Sequence, residues 1–277
     1  LSNSLNTNDG GYLISGTTTG PANGDKTEPY YGIDDIWVIK LDNVGNIEWQ
    51  KVLGGSKKDQ IFSTIQLSDG NYLIAGASPS NISGNKSQVC NGGTIYGDGW
   101  LIKLDAFGNI LWDKTYGGAG EEAIFGVTES MDGNYILACS SPNGSHAQKA
   151  EIGNGGTDCW IIKVNTDGNI IWENTIGGAG ADTPFDIQSL NDGSSIVVAR
   201  SDSNISGDKT QNNKGALDYW LFKLNTEGDI VWQNTIGGSN FDYAVDVRLS
   251  IDGGFFIGGY SLSGISGDKS EGLINSN

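Results

Sequence analysis

The chain has 277 residues, with 33 acidic against 16 basic side chains, a formal charge of −17, one histidine and three cysteines. A surface this acidic repels nucleic-acid phosphates and anionic lipid and attracts cations, which argues against a nucleic-acid partner. No run of about 18 apolar residues is present to span a membrane, and no basic-then-apolar leader opens the chain.

Glycine occurs 43 times and proline only 5 times, with Asn, Asp, Ser and Thr filling the gaps between short apolar runs. This is the composition of strands joined by many tight turns. An Asp-Gly pair precedes an apolar run at Asp9, Asp69, Asp132, Asp192 and Asp252, and the interval is constant except for one longer step, from Asp69 to Asp132. Trp37, Trp100, Trp160 and Trp220 open one segment of each unit, and Trp49, Trp112, Trp172 and Trp232 follow them at one fixed distance. The stretch from Asp-Gly to the first Trp accounts for the whole irregularity, so length varies in a single loop. Self-similarity at a fixed period marks a propeller, solenoid or array, because one unit cannot bury its apolar faces alone.

The third unit predicts four strands in chain order: 122–129, 135–139, 159–164 and 169–176. The first two are joined by a turn at Asp132-Gly133, the second and third by a long loop over 140–157, and the last two by a turn ending in Gly168. Gly45, Gly108, Gly168 and Gly228 supply the positive φ that such short hairpins demand. The third strand is apolar on both faces and belongs between packed layers, whereas the fourth alternates apolar and polar as an outer strand should. That order makes the first strand innermost and places the long loops beside the connections between units. The expected fold is all-β: a single β-propeller domain over 1–277 with four-stranded antiparallel blades near 1–55, 56–118, 119–178, 179–238 and 239–277, the last incomplete. Five blades close if residues ahead of Leu1 complete the fifth, and a longer parent would allow six or seven.

The run D-Y-W-L-F-K-L-N-T-E-G-D-I-V-W-Q-N-T-I-G-G at 218–238, then S-N-F-D-Y-A-V-D-V and D-G-G-F-F-I-G-G-Y-S, resembles a repeat of secreted Bacteroidota proteins. That repeat is similar to bacterial seven-bladed-propeller families. N-I-S-G-D-K-T at 204–210 fits the same group. The resemblance covers the whole chain. It implies an extracellular or outer-surface location and export of the kind served by the type IX secretion system, and it implies no particular activity.

A lysine stands at the same distance after every Asp-Gly: Lys26, Lys86, Lys149, Lys209 and Lys269. These could ring an anionic ligand, but a group present in every unit more often maintains the repeat. The expected partners are Asp35, Asp98, Asp158 and Asp218, two positions before each first Trp. The lysines inside strand three, Lys40, Lys103, Lys163 and Lys223, are read as structural in the same way. A second acidic ladder, Asp59, Glu122, Asp182 and Asp242, suits hydrogen bonds to turn amides, with calcium as the functional alternative. No other cofactor is implied.

The cysteine pair Cys139 and Cys159 sits on neighbouring strands, so a disulfide and two buried thiols are both open readings. Binding candidates are Tyr30, Tyr31 and Tyr96, aromatics outside the repeat, and the inner-strand acids Asp186 and Asp246. Those two acids would serve as paired carboxylates in an enzyme acting on polysaccharide. His146 has no evident catalytic partner and reads as a solvated loop residue. The expected function is a non-catalytic binding scaffold with a protein or glycan ligand on its long-loop face. An architectural or accessory role in a larger surface complex is a further alternative.

Overall fold

The computed structural model describes residues 3–144 and 148–273, all strands and turns with no helix among them. Sheet one runs β1 (Asn3–Asn6), β2 (Tyr12–Thr18), β3 (Asp35–Leu41) and β4 (Ile47–Leu53). Sheet two holds β5 (Gln60–Gln66), β6 (Tyr72–Ser78), β7 (Asp98–Leu104) and β8 (Ile110–Tyr116). In sheet three lie β9 (Ala123–Glu129), β10 (Tyr135–Pro142), β11 (Thr157–Val164) and β12 (Ile170–Ile176). Sheet four comprises β13 (Asp182–Ser189), β14 (Ser195–Ser201), β15 (Asp218–Leu224) and β16 (Ile230–Ile236), and sheet five comprises β17 (Asp242–Leu249) and β18 (Phe255–Ser261). Strand order follows chain order in every sheet, and the recorded pairings are antiparallel. The described residues form two compact units, one through Val127 with Gln148 and Lys149, the other from Thr128 onward.

Both hairpins of a repeat use one turn. The Thr7 carbonyl accepts the Gly10 amide at 2.9 Å and the Asp42 carbonyl accepts that of Gly45 at 3.2 Å, and both glycines have positive φ. That left-handed residue lets a type I turn rejoin a twisted ladder, and it costs an L side chain about 1–2 kcal/mol. The acid of each Asp-Gly also reaches a lysine. Asp9 meets Lys40 at 2.8 Å, Asp132 meets Lys163 at 2.7 Å and Asp192 meets Lys223 at 2.8 Å. The strand-three lysine therefore crosses the second strand to tie the first hairpin down. The lysine ammonium beside Asp9 and Asp192 holds each carboxyl well below the usual range.

The core lies between sheets. Leu13, Ile36 and Val38 of sheet one pack with Ile61, Ile74, Trp100 and Ile102 of sheet two, and Ile136, Ala138, Cys159 and Ile161 pack with Ile187, Val197, Trp220 and Phe222. Each first Trp donates its indole N–H to the residue after the second Trp. The distance is 3.1 Å from Trp37 to Gln50, 2.9 Å from Trp100 to Asp113 and 3.1 Å from Trp220 to Gln233. The polar positions of strand four are therefore acceptors for a buried indole as well as an outer face. Both β6 and β7 are buried along their whole length, so the second strand is as dry as the third.

Candidate functional site

Long loops and inter-sheet connections share one end of the sheets within each unit. The I-S-G-D-K text, I-S-G-N-K in the second repeat, forms a tight turn in which Ser83 pairs with Lys86, Ser206 with Lys209 and Ser266 with Lys269, around Gly84, Gly207 and Gly267 at positive φ. Its residue before the lysine reaches back to the preceding repeat. Asn85 accepts the Gly54 amide at 2.8 Å, Gln148 that of Gly117 at 2.8 Å, Asp208 that of Gly177 at 3.1 Å and Asp268 that of Gly237 at 3.2 Å. The turn thus fastens the Gly-Gly connection between consecutive sheets.

Three of the expected Lys–Asp pairs are replaced by other contacts. Lys26 donates to the Gly20 carbonyl, Lys86 to the Gln88 carbonyl and Thr115 Oγ1 at 3.0 and 2.6 Å, and Lys209 to the Ser203 carbonyl at 2.7 Å and to Asn213. Lys269 likewise donates to the Ser263 carbonyl at 2.6 Å. The carboxylates instead take amides of their own loops: Asp35 from Tyr31 at 2.6 Å, Asp98 from Asn91 at 2.7 Å, Asp158 from Asn154 at 2.8 Å and Asp218 from Lys214 at 2.5 Å. A loop too short for a hydrophobic core meets its backbone demand with side chains, so Lys26, Lys86 and Lys209 hold the same loops as Asp35, Asp98 and Asp218 without an ion pair to them. Lys149 is fully buried. Burial pushes the Lys86 and Lys209 ammonium groups downward and the Asp35, Asp98 and Asp218 carboxyls upward.

In the second acidic ladder, Asp59, Asp182 and Asp242 each accept a Gly-Gly amide at 2.7 Å and Glu122 does so at 3.1 Å. Ser203 and Ser263 hydroxyls add bonds of 2.8 Å to Asp182 and Asp242. In each, at least one carboxylate oxygen is occupied by turn donors, which is the use expected of turn acids, while Asp182 Oδ1 is buried without a hydrogen-bond partner. Asp59, buried and bonded to Ser78 and Gly55, has its carboxyl pushed up to about 6 by that burial.

The insertion of the second repeat falls between Asn91 and Asp98, where Glu121 closes it. The Glu121 carboxylate accepts the amides of Thr94, Ile95, Tyr96 and Gly97 at 2.8, 3.2, 2.7 and 2.9 Å. Burial works to raise this carboxyl, and the four amides outweigh it, holding it below the ordinary range. The Tyr96 ring lies 6.1 Å from Phe62, which stacks on Phe125 at 4.6 Å. Tyr30 sits 5.9 Å from the Lys26 ammonium, and Tyr31 packs over Gly84, where no side chain would fit. All three tyrosines are therefore braced on one side, with 36 to 45 % exposure remaining. Glu121 is legible in the sequence only as a break in the repeat, since Lys58, Ala181 and Phe241 occupy its position elsewhere.

Asp186 and Asp246 do converge, with Arg248 between them. The guanidinium meets Asp186 at 2.9 Å and Asp246 at 2.8 Å, and the Val247 amide adds 3.1 Å to Asp186. Burial raises the Asp186 carboxyl. Both acids follow an inner-strand bulge, after Pro184 in β13 and after Ala244 in β17. Nearby, Arg200 stacks 5.0 Å from Phe185 and 5.9 Å from Tyr243. Neither arginine is marked by the sequence pattern, because each occupies its repeat position only once.

Cys139 and Cys159 are not joined by a disulfide in this structure. Register explains it: Cys139 is opposite Trp160, whereas Cys159 is opposite Ser140. One residue of offset on an antiparallel pair sends the two side chains to opposite faces. His146 lies outside the described residues.

What every long loop shares is an exposed isoleucine. Ile82, Ile205 and Ile265 stand in the I-S-G turn, Ile33 and Ile152 later in their loops, and all five are between 61 and 72 % exposed. At the other end of their own sheets Val44, Phe107, Met131 and Ile251 are exposed, and they are of no common type.

No protein-family model matches the chain. It is 22% identical over 177 residues to the Regulatory protein FlaEY of Caulobacter vibrioides, a match covering 62% of this chain and 18% of that protein. The chain thus spans about a fifth of that relative. Among solved structures, the Kuenenia stuttgartiensis Hydrazine Synthase aligns over 83% of this chain and 72% of its own at 10% identity and a TM-score of 0.44. A Bacteroides caccae protein of unknown function aligns over 73% and 78% at 12% identity and a TM-score of 0.35.

Proposed function

We propose that these sheets are the blades of a β-propeller, five by the repeat count, and that the protein is a non-catalytic scaffold gripping a polypeptide with its long-loop end. The observation that carries the reading is the isoleucine presented by every long loop, whereas isolated exposed apolar residues are ordinary. Exposed aliphatic side chains favour a protein partner, since a glycan would ask for free aromatic faces and Tyr30, Tyr31 and Tyr96 are each braced against their own surroundings. The packing of second and third strands against the next sheet's first strand, from sheet one to two, three to four and four to five, supports the blade reading. A polysaccharide-cleaving role has less support, because Arg248 engages both Asp186 and Asp246 and a general acid and a nucleophile need separate, free carboxyls. Placement outside the cell, in a larger surface complex, rests on the sequence resemblance.

The test is photocrosslinking in cells of the native source, with a crosslinker at positions 82 and 205 and, as controls, at 44 and 107. A discrete protein adduct from the long-loop positions alone is expected, and the adduct from position 82 should be lost when Ile205 and Ile265 are changed to Asp. Equal adducts from both ends, or glycan binding that ignores those substitutions, would overturn the reading.

A further inference from the structure

The chain has two arginines, Arg200 and Arg248, and their surroundings differ. Arg248 is held by the carboxylates of Asp186 and Asp246. The lysines inside third strands are matched in the same way, Lys40 to Asp9, Lys103 to Asp69, Lys163 to Asp132 and Lys223 to Asp192. Arg200 has no such partner. Among the described residues its guanidinium makes no ion pair and no hydrogen bond, in a chain with 33 acidic side chains. A half-buried charge without a counter-ion gives up solvation that nothing inside the fold returns.

The setting of this cation is nevertheless a built one. Arg200 is the penultimate residue of β14, at the end of sheet four that carries the long loop, and on the ladder it lies between Thr183 of β13 and Tyr219 of β15. The Phe185 ring is 5.0 Å from the guanidinium and the Tyr243 ring 5.9 Å, and Tyr243 is itself stacked on Phe241 at 6.1 Å and on Tyr260 at 4.6 Å. Both rings that hold Arg200 sit on first strands, β13 and β17. A third strand in sheet five would pair with β18, not with these. Thr17, Ala77, Ser140 and Tyr260 occupy the equivalent positions, so the cation belongs to one repeat and has no scaffold role that the others share. Aromatic rings take the face of a guanidinium, and the fork of N–H donors at its edge then matches a carboxylate with two bonds at once.

We propose that Arg200 anchors a carboxylate, an acidic side chain or a chain terminus, of the polypeptide that the long-loop end grips. The proposal rests on the reading of that end as a polypeptide site. Ile205 follows Arg200 by five residues, so one loop presents an aliphatic contact and a charged one, and the partner segment combines an apolar residue with an acid. The rest of so acidic a surface repels anions. A single cation in it therefore sets register, because an acid elsewhere along the partner meets repulsion instead of Arg200.

Two measurements test Arg200, and they fail separately. In the first, the crosslinker at position 205 is combined with Arg200→Gln, Arg200→Glu and Arg200→Lys. The adduct should fall about fivefold with Gln, disappear with Glu and be partly kept with Lys. An adduct unchanged by Gln and Glu would leave the polypeptide reading standing and overturn the carboxylate anchor. In the second, the unsubstituted chain is titrated with N-acetyl-glutamate and with N-acetyl-glutamine while the Arg200 Nε–H and Tyr243 ring resonances are followed. Saturable shifts are expected with the glutamate, at an affinity about fivefold above that of the glutamine. Equal responses to the two refute the anchor, and tighter binding of inorganic phosphate refutes it in favour of a phosphate ligand. Absence of any adduct in the unsubstituted chain would count against the polypeptide reading, and the titration alone then decides Arg200.

Discussion

Asp59 shows what a single buried carboxylate does in this scaffold. Its folded-state carboxyl is pushed up to about 6 from an ordinary value of 3.8, so the native state holds its proton more tightly than the unfolded chain. Stability is then greatest below about pH 4 for this group and is lost as pH rises through about 6, a difference of about 3 kcal/mol. Asn in its place can still accept the Gly55 amide and donate to the Ser78 hydroxyl. Asp59→Asn should therefore flatten the fall in urea midpoint between pH 4 and 6.5, and a slope equal to wild type would refute the assignment. Asp9, Asp132 and Asp192 shift the opposite way, so their contribution disappears only below about pH 4 and does not mask the Asp59 window.

At the scale of elements, the fourth-strand Trp has different surroundings in sheets one and four. Trp49 rests on Gly108 and donates to the Ala106 carbonyl at 3.0 Å, whereas Trp232 is 38 % exposed. Trp49→Ala should cost about 2–3 kcal/mol and Trp232→Ala about 1 kcal/mol in urea unfolding. Equal losses would mean that the neighbouring hairpin contributes little. The hairpins themselves are readable from sequence, because a positive-φ glycine at Gly45 or Gly168 leaves a trace there. Lys40 and Asp9 are harder to pair, although their spacing recurs unchanged in Lys163–Asp132 and Lys223–Asp192 and widens only with the inserted loop. The partners of Lys26, Lys86 and Lys209 leave no such trace, since a backbone carbonyl has no letter in the sequence. The cysteine register is out of reach for a different reason: an offset of one residue decides it, and strand boundaries are not legible that finely.

Across the whole chain, length is free in one segment only, and the structure locates it between the amide-donating residue and the Asp that caps each long loop. A Gly-Ser-Gly insertion after Ala216 lengthens that segment, and loop-closure entropy costs it only about 0.2 kcal/mol. The same insertion after Thr226 breaks the turn in which Asn225 accepts the Glu227 and Asp229 amides at 3.1 and 2.8 Å, and should cost about 2 kcal/mol or more. Guanidinium midpoints of the two variants compare them directly, and a reversed order would contradict the assignment of the free segment. The candidate site is legible to the same degree as the loops: their position follows from the spacing, whereas Glu121, Arg200 and Arg248 are single departures that no period predicts.

The residue before each ladder lysine grips the Gly-Gly connection of the preceding repeat, Asn85 on Gly54 and Asp208 on Gly177. Protein engineers who wish to swap or multiply these units should therefore not cut at sheet boundaries. A cassette running from one ladder-lysine turn to the next keeps each clasp with the glycine pair it was matched to, and shifts the splice points into solvent-facing loop. The unit of recombination is thus half a repeat out of phase with the unit of folding.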